Sequence, residues 1–292
     1  MKWKRDAGLS GRIFLTWALL LMVYLIFMGI LWALGLPSGF IVLIAVVMGL
    51  VQYFFSDKLV LMSTGSKIVE SDEAPDLHRT IEKLCREADL PKPRIAIMPS
   101  PVPNAFATGR GPNHAVVAVT DSIMQTLNRD ELEAVLAHEL SHIKNRDILT
   151  MTVASFVAMI ASMIMNNFLY ASIFSDREEG GAWIIAGIVA AIVYAISTIL
   201  MMALSRYREF AADRGAAYIT GNPDALISAL QKISKRMDYV PTRAKIAAEG
   251  ANAFYIIPAI SGKTLAGLFS THPTLEKRIK NLEDVRREIR GY

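Results

Sequence analysis

Residues 137–175 read AHELSHIKNRDILTMTVASFVAMIASMIMNNFLYASIFS. Two kinds of information lie side by side in this stretch. Its first residues, Ala137-His138-Glu139-Leu140-Ser141-His142, set two histidines at i and i+4, which on an α-helix places both on one face, one turn apart. From Ile148 to Ser175 it then runs 28 residues without a charge. A helix crossing a hydrocarbon core of about 30 Å needs roughly 20 apolar residues. A metal-competent helix therefore leads straight into one of membrane length.

Working outward, the same feature recurs. Ile13 to Ser56 is an uncharged run of 44 residues and Gly180 to Ser205 one of 26. The first run is long enough for two crossings, with Pro37-Ser38-Gly39 as the break between them and Phe40 to Phe55 as the second crossing. Four transmembrane helices are expected. With 53% hydrophobic residues and positive mean hydropathy, the chain is too apolar for an ordinary soluble enzyme. The first apolar stretch leads directly into a second and has no small-residue cleavage pattern, so it reads as retained rather than as a signal peptide. Lys2, Lys4, Arg5 and Arg12 precede the first helix, Lys58 follows the second, and Arg206 and Arg208 follow the fourth. The loop Asp176-Arg177-Glu178-Glu179 is acidic. The positive-inside rule then puts both termini and both polar blocks in the cytoplasm. A net charge of +4 suits an anionic leaflet and, with no supporting motif, gives no reason to expect nucleic acid. The single cysteine, Cys85, excludes an intrachain disulfide and reads as a buried small side chain.

The chain divides into a membrane hairpin (1–56), a polar block (57–147), a second hairpin (148–205) and a second polar block (206–292). In the first polar block, Leu77 to Ala88 has helical patterning. Arg94 to Met98, Asn104 to Gly109 and Ala115 to Thr120 read as strands of a small sheet. A helix starts at Arg129, with Asn128 as N-cap and Asp130 and Glu131 in its first turn. In the second polar block, Ala225 to Met237 and Thr274 to Ile289 read as helices, while Asp238 to Ser270 is weakly patterned. The fold class is a predominantly α integral membrane protein with a small β-sheet.

The apolar neighbours Val135, Leu136, Ala137 and Leu140 bury the helix carrying the two histidines. Buried imidazoles one turn apart need partners, and both can reach one zinc ion at about 2.0–2.1 Å. Glu139 sits beside the first ligand, where it can take a proton from a metal-bound water and return it to the leaving amine. A catalytic zinc wants a third protein ligand on another element. Arg208-Glu209-Phe210-Ala211-Ala212-Asp213 offers two acids one turn apart. Glu209 can ligate while Asp213 accepts the N–H of a ligating histidine. Alone, such a pair is as readily a solvated face. The hairpin decides: His142 stands just before the third apolar run and Glu209 just after the fourth. Both motifs return to one side of the membrane despite 66 intervening residues, with the metal roughly 10 Å from its surface. Two histidines and a carboxylate also suit other divalent ions, so zinc is an expectation.

These residues resemble the M48 family of membrane metalloproteases, in its bacterial and archaeal HtpX branch. The likeness runs the length of the chain: the leading hairpin, Asn104-Ala105-Phe106-Ala107, the His138-to-His142 motif, the second hairpin, Arg208 to Asp213, and Ser270-Thr271-His272-Pro273. It implies a zincin-like (gluzincin) catalytic domain on the cytoplasmic side of the plasma membrane. It implies one Zn2+ on His138, His142 and Glu209, with Glu139 as base and Asp213 behind a ligand. The substrates it implies are polypeptides, above all misfolded membrane proteins. It makes the strand at Asn104, Ala105 and Phe106 a border of the cleft that pairs with the substrate backbone. It places His272 to stabilise the tetrahedral intermediate, with Arg278 assisting or bracing. One departure is Thr274, where the family often has a second proline after the histidine. His78 and His114 match no ligand pattern and read as structural. A prenyl-protease of the same family encloses a chamber with more helices than four apolar runs supply. An intramembrane protease would not surround its motif with Glu131, Glu133, Lys144, Arg146 and Asp147. An inactive scaffold has no need of both Glu139 and Glu209.

Overall fold

The computed structural model describes residues 6–34, 38–174, 180–244 and 272–291. The basic residues before position 6, the break at Pro37, the acidic loop 176–179 and most of the weakly patterned stretch, with Ser270 and Thr271, lie outside the described residues. The chain divides into two compact units. One comprises Met1–Asp6, Phe54–Leu149 and Arg206–Tyr292, the other Ala7–Tyr53 and Thr150–Ser205.

The second unit is helical. Helix α1 spans Ala7–Ala33, α2 begins at Ser38 and ends at Thr64, α6 spans Asp147–Phe174 and α7 begins at Gly180. Inside this unit Phe27 and Leu31 of α1 pack with Ile160, Ala161 and Ile164 of α6 and with Ala186 and Ala190 of α7. The alanines let helices approach closely, as membrane packing requires. The outer faces are equally apolar: Phe14, Leu25 and Trp32 of α1 and Ile184, Ile188 and Ile192 of α7 are exposed. Such a surface suits lipid rather than water. Three described helices are long and apolar enough to span a bilayer, and α2, bent between Phe55 and Asp57, makes a fourth if its two parts form one span.

The first unit carries a four-stranded mixed sheet of order β1-β2-β4-β3, with β1 at Lys67–Ile68, β2 at Arg94–Met98, β3 at Ala105–Thr108 and β4 at Val116–Thr120. Strands β2 and β4 are parallel, and β3 runs antiparallel to β4 with Ala105 opposite Val119. The fourth strand, β1, is too short to leave a sequence signal. Gly109 sets the turn after β3, since at its positive φ an added Cβ would stand 2.2 Å from the His114 carbonyl oxygen. One core joins the inner sheet face to α3 (Pro75–Ala88), α5 (Arg129–Lys144), α8 (Pro223–Asp238) and α9 (Leu275–Arg290). Cys85 of α3 is buried there, and burial pushes its thiol up to about 11. His78 hydrogen-bonds the Val69 carbonyl at 3.0 Å and His114 meets Arg110, in line with their reading as structural.

Helix α5 is buried on nearly every side between α3, α8 and β3. Its start is fixed by a capping box: Asn128 Oδ1 accepts from the Glu131 N–H and Glu131 Oε2 from the Asn128 N–H, both at 2.9 Å. Glu131 also accepts from Ser228 Oγ at 2.6 Å and Lys232 Nζ at 2.8 Å on α8. Burial would raise the Glu131 carboxyl, but Lys232, Ser228 and the cap outweigh it and hold the group low. Helix α7 runs past the end of the uncharged stretch at Ser205 and continues unbroken to Thr220, because Arg206-Tyr207-Arg208 contains neither a cap nor a breaker, and this sets Glu209 and Asp213 one turn apart on one helix. A cap of this kind contributes about 1 kcal/mol. Asn128→Ala should lower thermal stability in detergent by roughly that amount. Glu131→Ala, which also unpairs Lys232 and Ser228, should cost about 2–3 kcal/mol, readable as a larger shift in the melting temperature.

Candidate metal centre

His138, Glu139, His142, Glu209, Asp213, His272 and Arg278 converge on one buried cluster. His138 Nε2 lies 3.1 Å from His142 Nε2, and the rings stand edge to face. The Glu209 carboxylate closes the triangle, with Oε2 at 3.6 Å from His138 Nε2 and Oε1 at 3.5 Å from His142 Nε2. Four tetrahedral ligands about 2.0–2.2 Å from one ion stand roughly 3.3–3.6 Å apart. The two Nε2 atoms and the Glu209 carboxylate lie close to that spacing, with one ligand atom from each residue within 4.8 Å of the others.

The chemistry of the donor set tests the fit. His138 Nδ1 faces Asp213 Oδ1 at 3.0 Å and His142 Nδ1 faces Asp147 Oδ2 at 2.5 Å. With protons on both Nδ1 atoms, both Nε2 lone pairs point into the triangle. Glu209 Oε2 is buried and accepts no hydrogen bond among the described residues. Four buried carboxylates (Glu139, Asp147, Glu209, Asp213) face two guanidiniums, those of Arg208 and Arg278, which leaves two negative charges uncompensated. A divalent cation supplies that balance. Without it the cluster recruits a proton: burial opposes charge on His138, but Asp213 and Glu209 outweigh burial and push its pKa up to about 9. A cation entering the site therefore displaces a proton.

The residues around the triangle have distinct surroundings. Asp213, fully buried, takes a two-pronged pair from Arg278, with Nε at 2.9 Å and Nη2 at 2.5 Å. Arg278 Nη1 also lies 3.5 Å from Glu209 Oε2. Burial opposes the guanidinium's charge, yet Asp213 and Glu209 raise its pKa further. Arg278 thus braces the two acids of α7 from α9. The His272 ring, at the entry to α9, sits with Nδ1 at 3.4 Å from Glu209 Oε2. Glu139 is buried next to the triangle. Its pKa is raised, first by burial and also by Glu209, against the pull of His138, His142 and the Ala107 N–H. That last contact ties it to β3.

Asn104, Ala105 and Phe106 have buried side chains. Phe106 packs with Val60 and Leu61 of α2, and Ala105 belongs to the main core. What β3 offers is backbone. The Thr120 N–H donates to the Asn104 carbonyl at 2.9 Å, so residues 104, 106 and 108 face β4. By antiparallel alternation, the N–H and C=O groups of Ala105 and Ala107 point away from β4. Among the described strands β3 is an edge of the sheet, at the end opposite β1.

Sequence reading missed Asp147 and Arg208. Asp147 passed for a charge at a membrane boundary and Arg208 for a topology signal, yet Asp147 joins the His142 ring and Arg208 Nε joins Asp147 Oδ1 at 3.0 Å. The available signal was spacing: Asp147 follows His142 by five residues and Arg208 immediately precedes Glu209.

Comparison with known proteins agrees with this geometry. The family model for peptidase family M48 matches residues 71–286. A protease HtpX homolog of Moorella thermoacetica is 52% identical over 97% of this chain and 96% of its own length. Protease HtpX homolog 2 of Methanosarcina acetivorans is 53% identical over 99% of both. The fold is similar to the crystal structure of Ste24p from S. mikatae, with a TM-score of 0.58 at 19% identity over 92% of this chain, which spans 64% of that protein's length. A match across most of the chain, joined to relatives half identical from end to end, shows that the chain belongs to peptidase family M48.

Proposed function

We propose that the chain is a membrane-bound, zinc-dependent endopeptidase of gluzincin type, hydrolysing peptide bonds of misfolded or damaged membrane proteins at the cytoplasmic face of the plasma membrane. The observation that carries the reading is the triangle of His138 Nε2, His142 Nε2 and the Glu209 carboxylate beside a buried Glu139. In it, His138, His142 and Glu209 hold one Zn2+. When bound, the ion polarises the scissile carbonyl and lowers the pKa of water.

The chain's own residues do the rest. Glu139 accepts the proton of the attacking water and delivers it to the departing amine. Burial raises its pKa, which favours its holding the proton between the two halves of that task. Asp213 accepts the Nδ1–H of His138 and so keeps that ring's Nε2 unprotonated toward the ion. Arg278 holds Asp213 in place. His272 donates toward the oxygen on which charge builds, a role supported by its position against Glu209. The outward N–H and C=O groups of Ala105 and the outward C=O of Ala107 receive an extended substrate as an added strand.

Around this site, the reading takes the four segments 1–56, 57–147, 148–205 and 206–292 as two membrane hairpins alternating with two cytoplasmic blocks. Four spans, cytoplasmic termini and a cytoplasmic site follow from the basic flanks. The quality-control role rests on the family resemblance, and the bent α2 supports the fourth span.

Two experiments test the proposal. Purified chain in detergent should cleave casein, lose this with chelator and regain it with zinc. Glu139→Gln should lower turnover by at least about a thousandfold (~4 kcal/mol of barrier) while keeping one zinc per chain by elemental analysis. Full activity in that variant removes Glu139 from its role, and unchanged zinc in Glu209→Ala removes the third ligand. For the edge strand, Ala105→Pro deletes an outward N–H, with Ala105→Val as the control that adds bulk at the same buried position and keeps the N–H. Ala105→Pro should raise KM for an unfolded substrate roughly tenfold, the equivalent of ~1.4 kcal/mol, with zinc content intact. An unchanged KM dismisses strand addition at that residue.

A further inference from the structure

The two histidines of the triangle are backed in the same order. Behind His138 stand Asp213 and then Arg278. Behind His142 stand Asp147, with Oδ2 at 2.5 Å from Nδ1, and then Arg208, with Nε at 3.0 Å from Asp147 Oδ1. Asp147 is 3% exposed, so its charge is committed to these partners. Neither residue belongs to the triangle, and the role proposed above leaves both unused.

We infer that Asp147 and Arg208 are positioning residues of the metal centre, a second histidine–aspartate–arginine line that aims His142 Nε2 at the ion and sets how tightly the ion is held. The inference rests on the metal-centre reading above. Local chain geometry argues for it independently. Arg146 adopts a left-handed φ of 55° between the end of α5 and the start of α6. A non-glycine residue there is strained. The turn returns Asp147, the first residue of α6, to the ring of His142. Arg208 is adjacent to Glu209, so the turn of α7 that offers the third ligand also braces the second.

Each link has a chemical consequence. A carboxylate on Nδ1 fixes that nitrogen as the protonated one, which leaves Nε2 with its lone pair and makes it more basic. The Arg208 guanidinium occupies the other carboxylate oxygen, so Asp147 cannot rotate away from the ring. An ion pair serving only to join α6 to α7 would have no bearing on which imidazole tautomer is populated.

The test uses full-length chain in detergent with metal alone. Zinc affinity is read by competition with a chromophoric chelator, and ligand geometry by the visible absorption of the Co2+-loaded chain. Asp147→Ala should weaken zinc about 10–100-fold and shift the Co2+ bands. Asp147→Asn, which keeps an acceptor without the charge, should fall between it and wild type. Arg208→Gln should weaken zinc several-fold although it touches no ligand, and Arg208→Lys should recover part of the loss. Added to Asp147→Ala, Arg208→Gln should do little more, since both cut one line. If Asp147→Ala does not fold, Asp147→Asn and Arg208→Gln carry the same test. Zinc affinities within twofold of wild type and unmoved Co2+ bands in the folded variants overturn the inference. The broader reading has its own control: a wild-type chain that binds zinc and loses it in His142→Ala keeps the metal centre whatever Asp147 does.

Discussion

A carboxylate taken out of water is stabilised only by cations and hydrogen-bond donors, and four of them are buried here within one cluster. That constraint organises the first unit. Arg278 reaches in from α9 for Asp213 and Glu209, and Arg208 reaches along α7 for Asp147. The histidines stand between the acids, and Glu139 is left with a raised pKa because its burial outweighs the pull of His138 and His142. Helix α5 has to be buried all round for this to work. In water its imidazoles and carboxylate would be solvated separately and would have no reason to converge.

The same constraint explains why so much polar structure surrounds α5. The capping box at Asn128 and Glu131, with Ser228 and Lys232 behind it, fixes the start of the helix against α8. Lys144 near its other end donates to the Ala88 carbonyl of α3. With both ends tied, His138 and His142 keep their register toward α7, and a one-residue slip, about 100° of rotation, would take both rings out of the triangle.

The sequence made much of this legible for identifiable reasons. The i, i+4 histidines, the acids of Arg208 to Asp213 and the uncharged runs are all periodic or compositional signals, and these survive without coordinates. The strands from Arg94 and Val116 were visible as β-branched runs, and the start of α5 as a cap. Two kinds of feature were hidden. The two-residue strand β1 has no period to read. The Asp147–Arg208 pair depends on a left-handed turn at Arg146, a residue type that gives no hint of positive φ, so the spacing from His142 to Asp147 did not by itself point to a contact. The change from apolar to charged residues after Ser205 ends the uncharged run but not the helix, since helical hydrogen bonding is indifferent to it.

The β3 edge links this electrostatic arrangement to substrate choice under the proposed function. The side chains of Ala105 and Phe106 are spent on the core, so the strand has backbone alone to offer. Backbone pairing does not distinguish one side chain from another, but it does require a partner whose own N–H and C=O groups are unpaired. A folded protein has few such segments outside its loops, whereas an unfolded or damaged one has many. Glu139 lies close enough to β3 for the Ala107 N–H to lower its pKa, which puts the strand edge and the proton acceptor in one place. A chain that adds to β3 is thereby presented to Glu139 at a fixed residue. Selectivity for unfolded segments then arises from the hydrogen-bonding state of the substrate, and it needs no pocket shaped for a particular side chain.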